Sequence, residues 1–160
     1  MDPQARKTAL RMFSNGVYIM TARSGDQYGG ATVTWISQAS FYPPLVIAAV
    51  RKDSNVFRCI RERGPVAIHV LGAHQTEVAQ RFFTPTTVQD GCMNAEPFRG
   101  GALDVPVLQS APAHVECQVR HIYEEMGDHA VVVLEVMEAE CPCPKITPLT
   151  VADSPWQYGG

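Results

Sequence analysis

The segment Ala31–Ile60 carries groups whose types and spacing suit the binding of an anion. Its polar part, Ala31–Ser40, precedes a Pro-Pro turn and an apolar run typical of a buried strand. Arg51 and Lys52 then stand just before Ser54, a residue type favoured at the start of a helix. Because the backbone N–H groups of a helix's first turn are free, they attract phosphate. The pattern therefore predicts a phosphate-binding turn, although helix capping by Ser54 uses the same N–H groups and fits equally well.

The polar part of this segment has the alternation of a strand with two mixed faces. Thr32 and Thr34 point to one side, and Trp35 and Ser37 point to the other. A strand that served only the core would alternate more cleanly between apolar and polar residues. One face could therefore line a ligand, but a partly exposed strand with outward threonines also fits, because Thr is a good strand residue.

His129 is the best single candidate for a catalytic side chain. It follows Gly127-Asp128, a predicted turn, and begins a predicted strand. The pattern alone also fits a histidine that hydrogen-bonds to the backbone of the turn, and Asp128 is better explained as a turn residue than as an acid catalyst.

Other reactive groups form no recognisable site. Cys141-Pro142-Cys143 brings two thiols close together, but neither they nor the five histidines have a standard zinc spacing, so no metal is predicted. No G-x-S-x-G motif supports a hydrolase, and no G-x-G-x-x-G motif supports a Rossmann dinucleotide site. Cys59 and Cys117 lie in apolar contexts typical of small core residues.

The composition indicates one folded domain over residues 1–160. The chain is 46% hydrophobic and has a formal net charge of −3, which gives no basic footprint for nucleic acid and no polybasic membrane patch. Neither end carries an apolar run of about 18 residues or a signal-like segment, so we expect a cytoplasmic protein. The five cysteines are odd in number and scattered, which favours free thiols over a disulfide scaffold.

Turn and periodicity signals predict a mainly β fold (α+β) with six or seven strands and three short helices. Such a pattern suits a small closed barrel with helices packed outside it. The predicted helices are Pro3–Ser14, Ser54–Ile60 and Gln75–Phe83, with Phe82 and Phe83 facing inward. The predicted strands are Val17–Arg23, Tyr28–Ser37, Leu45–Val50, Val66–Leu71, Ala113–Tyr123 and His129–Ala139. Thr86–Pro106 shows little periodicity and is expected to be an irregular loop, either functional or simply exposed.

The chain resembles the flavin reductase-like family, whose fold is an FMN-binding split β-barrel. The resemblance runs from about Ala9 to Gly160 and rests on the order and spacing of several motifs. These are Gly16-Val17, Thr32-Val33-Thr34 with Ser37 and Ser40, Pro43-Pro44-Leu45-Val46, Arg51-Lys52-x-Ser54, Val115-Glu116-Cys117, Gly127-Asp128-His129 and Trp156-x-Tyr158-Gly159-Gly160.

The resemblance implies an NAD(P)H:flavin oxidoreductase that binds FMN, with FAD possible, and takes NAD(P)H as co-substrate. It implies that His129 lies near the nicotinamide. Many relatives carry a small residue where this chain has Trp35, so the indole could instead belong to the core. The residues implied around the flavin ring and ribityl chain are Thr32, Thr34, Trp35, Ser37, Ala39 and Ser40, and those implied at the phosphate are Arg51, Ser54 and Asn55.

The resemblance also implies a homodimer with the flavin near the subunit interface. In a dimer the Pro-rich tail Cys141–Gly160 would lie over the partner, whereas in isolation a frayed end is expected. The electrons would pass to an oxygenase, a rubredoxin-type protein or a diiron flavoprotein. Three other functions fit the same fold: an FMN-binding electron carrier, a reductase of ferric iron or another acceptor, and a non-catalytic protein that binds haem or another ligand.

Overall fold

The computed structural model describes all residues from Met1 to Gly160. As the sequence predicts, the fold is mainly β with three short helices, and none of these helices is long and apolar enough to cross a membrane. The elements in chain order are α1 (Pro3–Arg11), β1 (Tyr18–Ser24), β2 (Gln27–Val33), β3 (Ile36–Ser40), β4 (Leu45–Arg51), α2 (Asn55–Arg61), β5 (Val66–Val70), α3 (Thr76–Arg81), β6 (Val88–Gln89), β7 (Cys92–Met93), β8 (Glu96–Gly100), β9 (Pro106–Leu108), β10 (Ala113–Tyr123) and β11 (His129–Glu140).

Seven strands form one antiparallel sheet in the order β2-β1-β5-β10-β11-β4-β3. Alternate residues of six of these strands pack with α2 in a single hydrophobic core. This core includes Met20, Phe57, Ile60 and Val132. The sheet therefore curls around this core. Its two edge strands, β2 and β3, are consecutive in sequence, yet no hydrogen-bonded ladder joins them.

Helix α2 fills the curl because its local sequence fixes both its start and its buried face. The Ser54 hydroxyl accepts a hydrogen bond from the Phe57 N–H at 3.1 Å, which caps the first turn. A Cβ atom on Gly29 would lie 2.6 Å from the Val56 backbone, so glycine is needed where β2 crosses the helix. Its neighbour Gly30 makes room on the other side of β2, where a Cβ atom would lie 2.6 Å from the Met93 sulfur and 2.9 Å from the Phe82 ring.

Two local predictions are wrong. The predicted strand Tyr28–Ser37 breaks after Val33, and β3 begins at Ile36, so the chain leaves one edge of the sheet and joins the other within two residues. Phe83 is not inward but 54% exposed, because α3 ends at Arg81 and the phenyl ring packs edge-on against Trp156.

The segment predicted to be an irregular loop is instead a second antiparallel sheet, β6-β7-β8-β9. Two buried carboxylates anchor it. Glu96 pairs with Arg81 of α3 and accepts a hydrogen bond from the Ser110 hydroxyl at 3.1 Å. Glu116 of β10 accepts hydrogen bonds from the backbone N–H groups of Ala102 and Leu103 at 3.0 and 2.8 Å. Buried charges are stable only when paired in this way, so β8 is held in place at both of its ends.

The tail packs on its own chain. Thr150 and Pro148 form isolated bridges with Gly16 and Gly72, and Leu149 between them is buried. The remaining residues continue toward the open edge of the main sheet, where the last five, 156–160, form a segment that we call the strap. The tail is therefore neither frayed nor directed away from the body of the chain.

We predict that His69 makes the protein less stable as the pH falls. The Leu108 N–H donates to its Nε2, so its Nδ1–H donates to the Ile19 carbonyl, and both contacts are 3.0 Å long. Burial lowers the pKa of His69 from 6.5 to about 4. Between these two values the unfolded chain binds the proton more readily. The free energy of unfolding should therefore fall as the pH drops from about 6.5 to about 4, by up to about 3 kcal/mol from this residue.

Denaturant titrations at several pH values would measure this contribution. The variant His69→Gln should be less stable at neutral pH and should lose less stability on acidification than the wild type. His121→Gln, at an exposed position of β10, is the matched control and should follow the wild type. Equal pH dependence in the wild type and His69→Gln would contradict the prediction.

Candidate functional site

A cavity of about 310 Å³ opens where the two edges of the main sheet fail to join. This volume is at the lower end of the range for small-molecule sites, about 300–1,000 Å³. Its walls come from the end of β2, the crossing at Thr34-Trp35, the end of β4, the start of β11 and the tail. Six predicted site residues line it: Thr32, Thr34, Trp35, Arg51, Ser54 and His129.

The other predicted residues lie outside this cavity. Ser37 lines a neighbouring hollow of about 500 Å³, which also has Trp35 and Ala49 in its wall. Ala39 and Ser40 lie farther along the exposed edge strand β3, and Asn55 is the first residue of α2; none of the three lines either space. Trp35 is half-buried and stands between the two spaces.

Thr34 presents a hydroxyl group with no partner. Its Oγ1 atom is buried and makes no hydrogen bond, whereas the Oγ1 of Thr32 donates to the Ala79 carbonyl at 2.6 Å. An unpaired buried hydroxyl is unfavourable by about 1–3 kcal/mol, so native proteins rarely keep one without a reason. A ligand with a hydrogen-bonding edge would satisfy Thr34.

The register of the main sheet brings His129 and Arg51 side by side on β11 and β4. The side chain of His129 is 15% exposed, and its Nδ1 lies 2.7 Å from the Asp128 carboxylate. The hydrogen bond from His129 lowers the pKa of Asp128. Asp128 therefore stays ionised and fixes the orientation of the imidazole, which leaves Nε2 directed toward the Tyr158 hydroxyl at 3.3 Å.

Arg51 supplies positive charge at the mouth of the cavity. Its guanidinium donates to both oxygens of Asp53 at 3.0 and 2.8 Å, and this pairing raises the pKa of Arg51 and lowers that of Asp53. The side chain is still 62% exposed and can turn toward an anion. Ser54 also lines the cavity, but its hydroxyl donates to the Arg51 carbonyl at 2.8 Å and accepts from Phe57. Capping thus already uses the hydrogen bonds of this hydroxyl.

Sequence reasoning missed the contribution of the tail. Val151, Ser154, Trp156, Gln157 and Tyr158 all line the cavity. The only sequence signal was the aromatic pair in the closing motif, which said nothing about where the tail packs. The strap is fastened by Arg11 of α1, whose Nε donates to the Gly159 carbonyl and whose Nη1 donates to the Gln157 side chain, at 2.9 and 2.8 Å.

The arrangement suits a flat, partly apolar ligand with one polar edge and an anionic end. Trp35 and Trp156 offer aromatic surface, Thr34 and His129 offer hydrogen-bonding groups, and Arg51 offers charge. No cluster of three or more His, Cys, Asp or Glu side chains in the chain has the geometry to hold a metal ion. The groups present can bind and orient, whereas none is arranged as an activated nucleophile.

A protein-family model described as "Flavin reductase like domain" matches residues 10–156. A "Probable flavin reductase" from Rhizobium meliloti is 31% identical over 142 residues, which cover 87% of this chain and 44% of that protein. This chain therefore spans less than half the length of that relative. The reductase component of 4-hydroxyphenylacetate 3-monooxygenase from Thermus thermophilus is 30% identical, with 86% of this chain and 84% of that protein covered.

The fold is also found among solved structures. The NADH:FAD oxidoreductase of Streptomyces globisporus C-1027 superposes with a TM-score of 0.81 at 26% identity. The alignment covers 100% of this chain and 96% of that one. The likeness therefore includes the tail as well as the sheet.

The two threonines that line the cavity provide a matched test of the unpaired hydroxyl. We predict that Thr34→Val will raise the free energy of unfolding by about 1 kcal/mol, because it removes a buried hydroxyl that has no partner. Thr32→Val loses a real hydrogen bond and should be less stable than the wild type by about 1 kcal/mol. Denaturant unfolding of both variants measures the difference. Equal destabilisation of the two would mean that Thr34 is paired in the protein.

Proposed function

This chain belongs to the flavin reductase-like family, and we propose that it is an NAD(P)H:flavin oxidoreductase that binds FMN in the cavity beside Trp35. The observation that carries the proposal is the unpaired Thr34 hydroxyl in an otherwise largely apolar cavity, which Arg51 and His129 also line. A flavin has a flat ring with a hydrogen-bonding edge, and its FMN form ends in a phosphate. Each of these parts has a chemically suitable group in the cavity wall.

The flavin supplies the ring that accepts hydride from the nicotinamide, as in other flavin enzymes. The chain's own residues then need only bind and orient the reactants. We assign Thr34 to the polar edge of the ring, Trp35 to its face and Arg51 to the phosphate. The Thr32 hydroxyl is already bonded to Ala79, so its side chain shapes the wall.

We assign His129 the task of positioning the nicotinamide. The Asp128 carboxylate accepts the Nδ1–H, so the Nε2 atom of a neutral imidazole can accept a hydrogen bond on the cavity side, where the Tyr158 hydroxyl lies. A carboxamide N–H of the nicotinamide is a suitable donor. The low exposure of His129 keeps water away from this contact and strengthens it.

We also propose that residues 1–160 form a single split β-barrel domain that works as a homodimer. The face of β4 and β11 that points away from the core is apolar and uncovered, with Ile47 38% and Val131 41% exposed beside Ala49 and Val133. Exposed apolar patches of this kind mark interaction sites. The neighbouring hollow opens on this face and has Trp35 in its wall, so a second copy would complete the surroundings of the flavin.

The dimer can be tested by placing a charge in this face. Val131→Lys should convert the dimer to a monomer in sedimentation velocity runs at micromolar concentration, because burying an unpaired ammonium group is strongly unfavourable. Val88→Lys, at an exposed position of β6 outside this face, is the control and should leave the dimer intact. A wild-type protein that sediments as a monomer would contradict this part of the proposal.

The reduced flavin would be passed to a partner enzyme. A relative of similar length is the reductase component of a monooxygenase, which supports an oxygenase as the recipient. All five cysteines are free, which suits the reducing conditions of the cytoplasm, where we propose that the protein acts.

The test of the activity is an anaerobic mixture of the purified protein with FMN or FAD and NADH or NADPH. Absorbance of oxidised flavin should be lost much faster than in a protein-free control, and reduced flavin should then appear in an ultrafiltrate. Flavin that binds without bleaching would indicate an electron carrier in place of a reductase. A protein that binds no flavin would contradict the proposal.

Two variants should separate orientation from binding. His129→Ala should lower kcat/KM for the nicotinamide by roughly 100-fold, because the reacting rings are no longer aligned, while the flavin Kd changes little. Arg51→Ala should weaken FMN binding by about 10- to 100-fold, since it removes charge-assisted hydrogen bonds. Riboflavin, which lacks the phosphate, should bind Arg51→Ala and the wild type equally. Ser54 is left unchanged in this test, because its replacement would also disturb the cap of α2.

A further inference from the structure

We infer that Tyr158 is a positioning residue of the reaction site: it holds His129 while the nicotinamide is absent, and the nicotinamide ring displaces it on binding. This inference rests on the proposed function and names the residue that governs access of the second substrate. It follows from the division of the site into two spaces, from the contacts of the tyrosine ring, and from the way the strap is attached.

The strap and Trp35 together form a partition between the two spaces. Gln157 and Tyr158 line the cavity of about 310 Å³, whereas Gly159 and Gly160 line the neighbouring hollow of about 500 Å³. Trp35 is in the wall of both. The smaller space alone is at the lower limit for one ligand, and hydride transfer requires two rings together. Movement of the strap would join the two spaces.

Tyr158 makes the kind of contacts that the second ring needs. Its ring centroid lies 5.2 Å from that of Trp35, and the indole is itself 4.7 Å from the imidazole of His129. Its hydroxyl lies 3.3 Å from the His129 Nε2 atom. Burial raises the pKa of Tyr158, so the hydroxyl keeps its proton and donates it to Nε2. A flat ring with a hydrogen-bond donor at its edge thus already occupies the place in front of His129.

The attachment of the strap is suited to release. Two of its hydrogen bonds come from Arg11, on α1, a helix with no buried residue. The others join the backbone of Trp156 to the Ser154 hydroxyl and the hydroxyl of Tyr158 to His129. Gly159 and Gly160 have φ angles of +97° and +96°, which glycine adopts easily, and the strap forms no helix or strand. Few buried contacts and no ladder of backbone hydrogen bonds characterise segments that open at low energetic cost.

If Tyr158 must leave before the nicotinamide enters, its removal should improve binding. The apparent affinity for a ligand is reduced by the fraction of molecules in the competent state. Tyr158→Ala should therefore lower KM for NADH by up to about tenfold. Arg11→Ala should act in the same direction, and the double variant should gain less than the sum of the two, because both changes release the same segment. Tyr158→Phe keeps the ring but loses the hydroxyl, so it should fall between the wild type and Tyr158→Ala.

A direct readout that does not depend on turnover is ¹⁹F NMR of protein labelled with 3-fluorotyrosine and loaded with FMN. The Tyr158 resonance is the one that is missing in Tyr158→Phe. Addition of NAD⁺ should sharpen it and move it toward the position of free fluorotyrosine. The resonance of Tyr123, which lies at the end of β10 outside the site, should not change.

The outcomes separate this inference from the function on which it rests. A protein that reduces flavin normally, but whose Tyr158 resonance broadens or stays unchanged with NAD⁺, would overturn the displacement alone. The same holds if Tyr158→Ala raises KM, because the tyrosine would then contact the bound nicotinamide. A wild-type protein that neither binds nor reduces flavin would overturn the proposed function as well.

Discussion

The site exists because the main sheet curls around its core without closing. β2 and β3 lie at opposite edges, so neither can satisfy the other's backbone groups. At the edge formed by β2, the N–H groups of Gly30 and Thr32 bond to the Thr86 hydroxyl and the Phe82 carbonyl, so the segment that joins α3 to the small sheet protects this edge. The chain then has to cross the gap at Thr34 and Trp35. That crossing leaves one hydroxyl unpaired and one indole half-buried, and these are the groups that a ligand would contact.

Within this gap the site is assembled mainly by register. β4 and β11 are long, regular partners, and their pairing puts Arg51 opposite His129 without any special turn. The two side chains therefore hold fixed positions relative to the gap, as an orientation-dependent reaction requires. By contrast, part of the outer wall comes from the strap, which makes no backbone–backbone hydrogen bond to the rest of the chain. The paired strands thus fix the positions of Arg51 and His129, whereas residues of the strap complete the wall of the cavity.

Much of the fold could be predicted from the sequence, because strong local signals mark it. Ser54 begins α2, and the apolar alternation of β10 and β11 gives their extent within a residue or two. The break at Thr34-Trp35 could not be predicted, because Thr and Trp are themselves good strand residues and the cause lies in the closure of the sheet. The strands of the small sheet are two to five residues long, too short to show periodicity. The hydrogen bond between Arg11 and Gln157 joins residues 146 positions apart, so no local sequence pattern reveals it.

The anchoring of β8 at both of its ends has a consequence for how this protein can change during evolution. Glu96 and Glu116 bind the sheet through buried, directional contacts. Insertions near either carboxylate would therefore leave a buried charge without its partner. The turn between β6 and β7 is different. Gly91 has a φ angle of +74° in this turn, and nothing lies within 4 Å of the position that its Cβ would occupy. Loops of added length can therefore be accommodated at this turn without disturbing the cavity. New recognition surfaces would therefore arise most easily at the turn between β6 and β7, on a small sheet that the two carboxylates keep rigid.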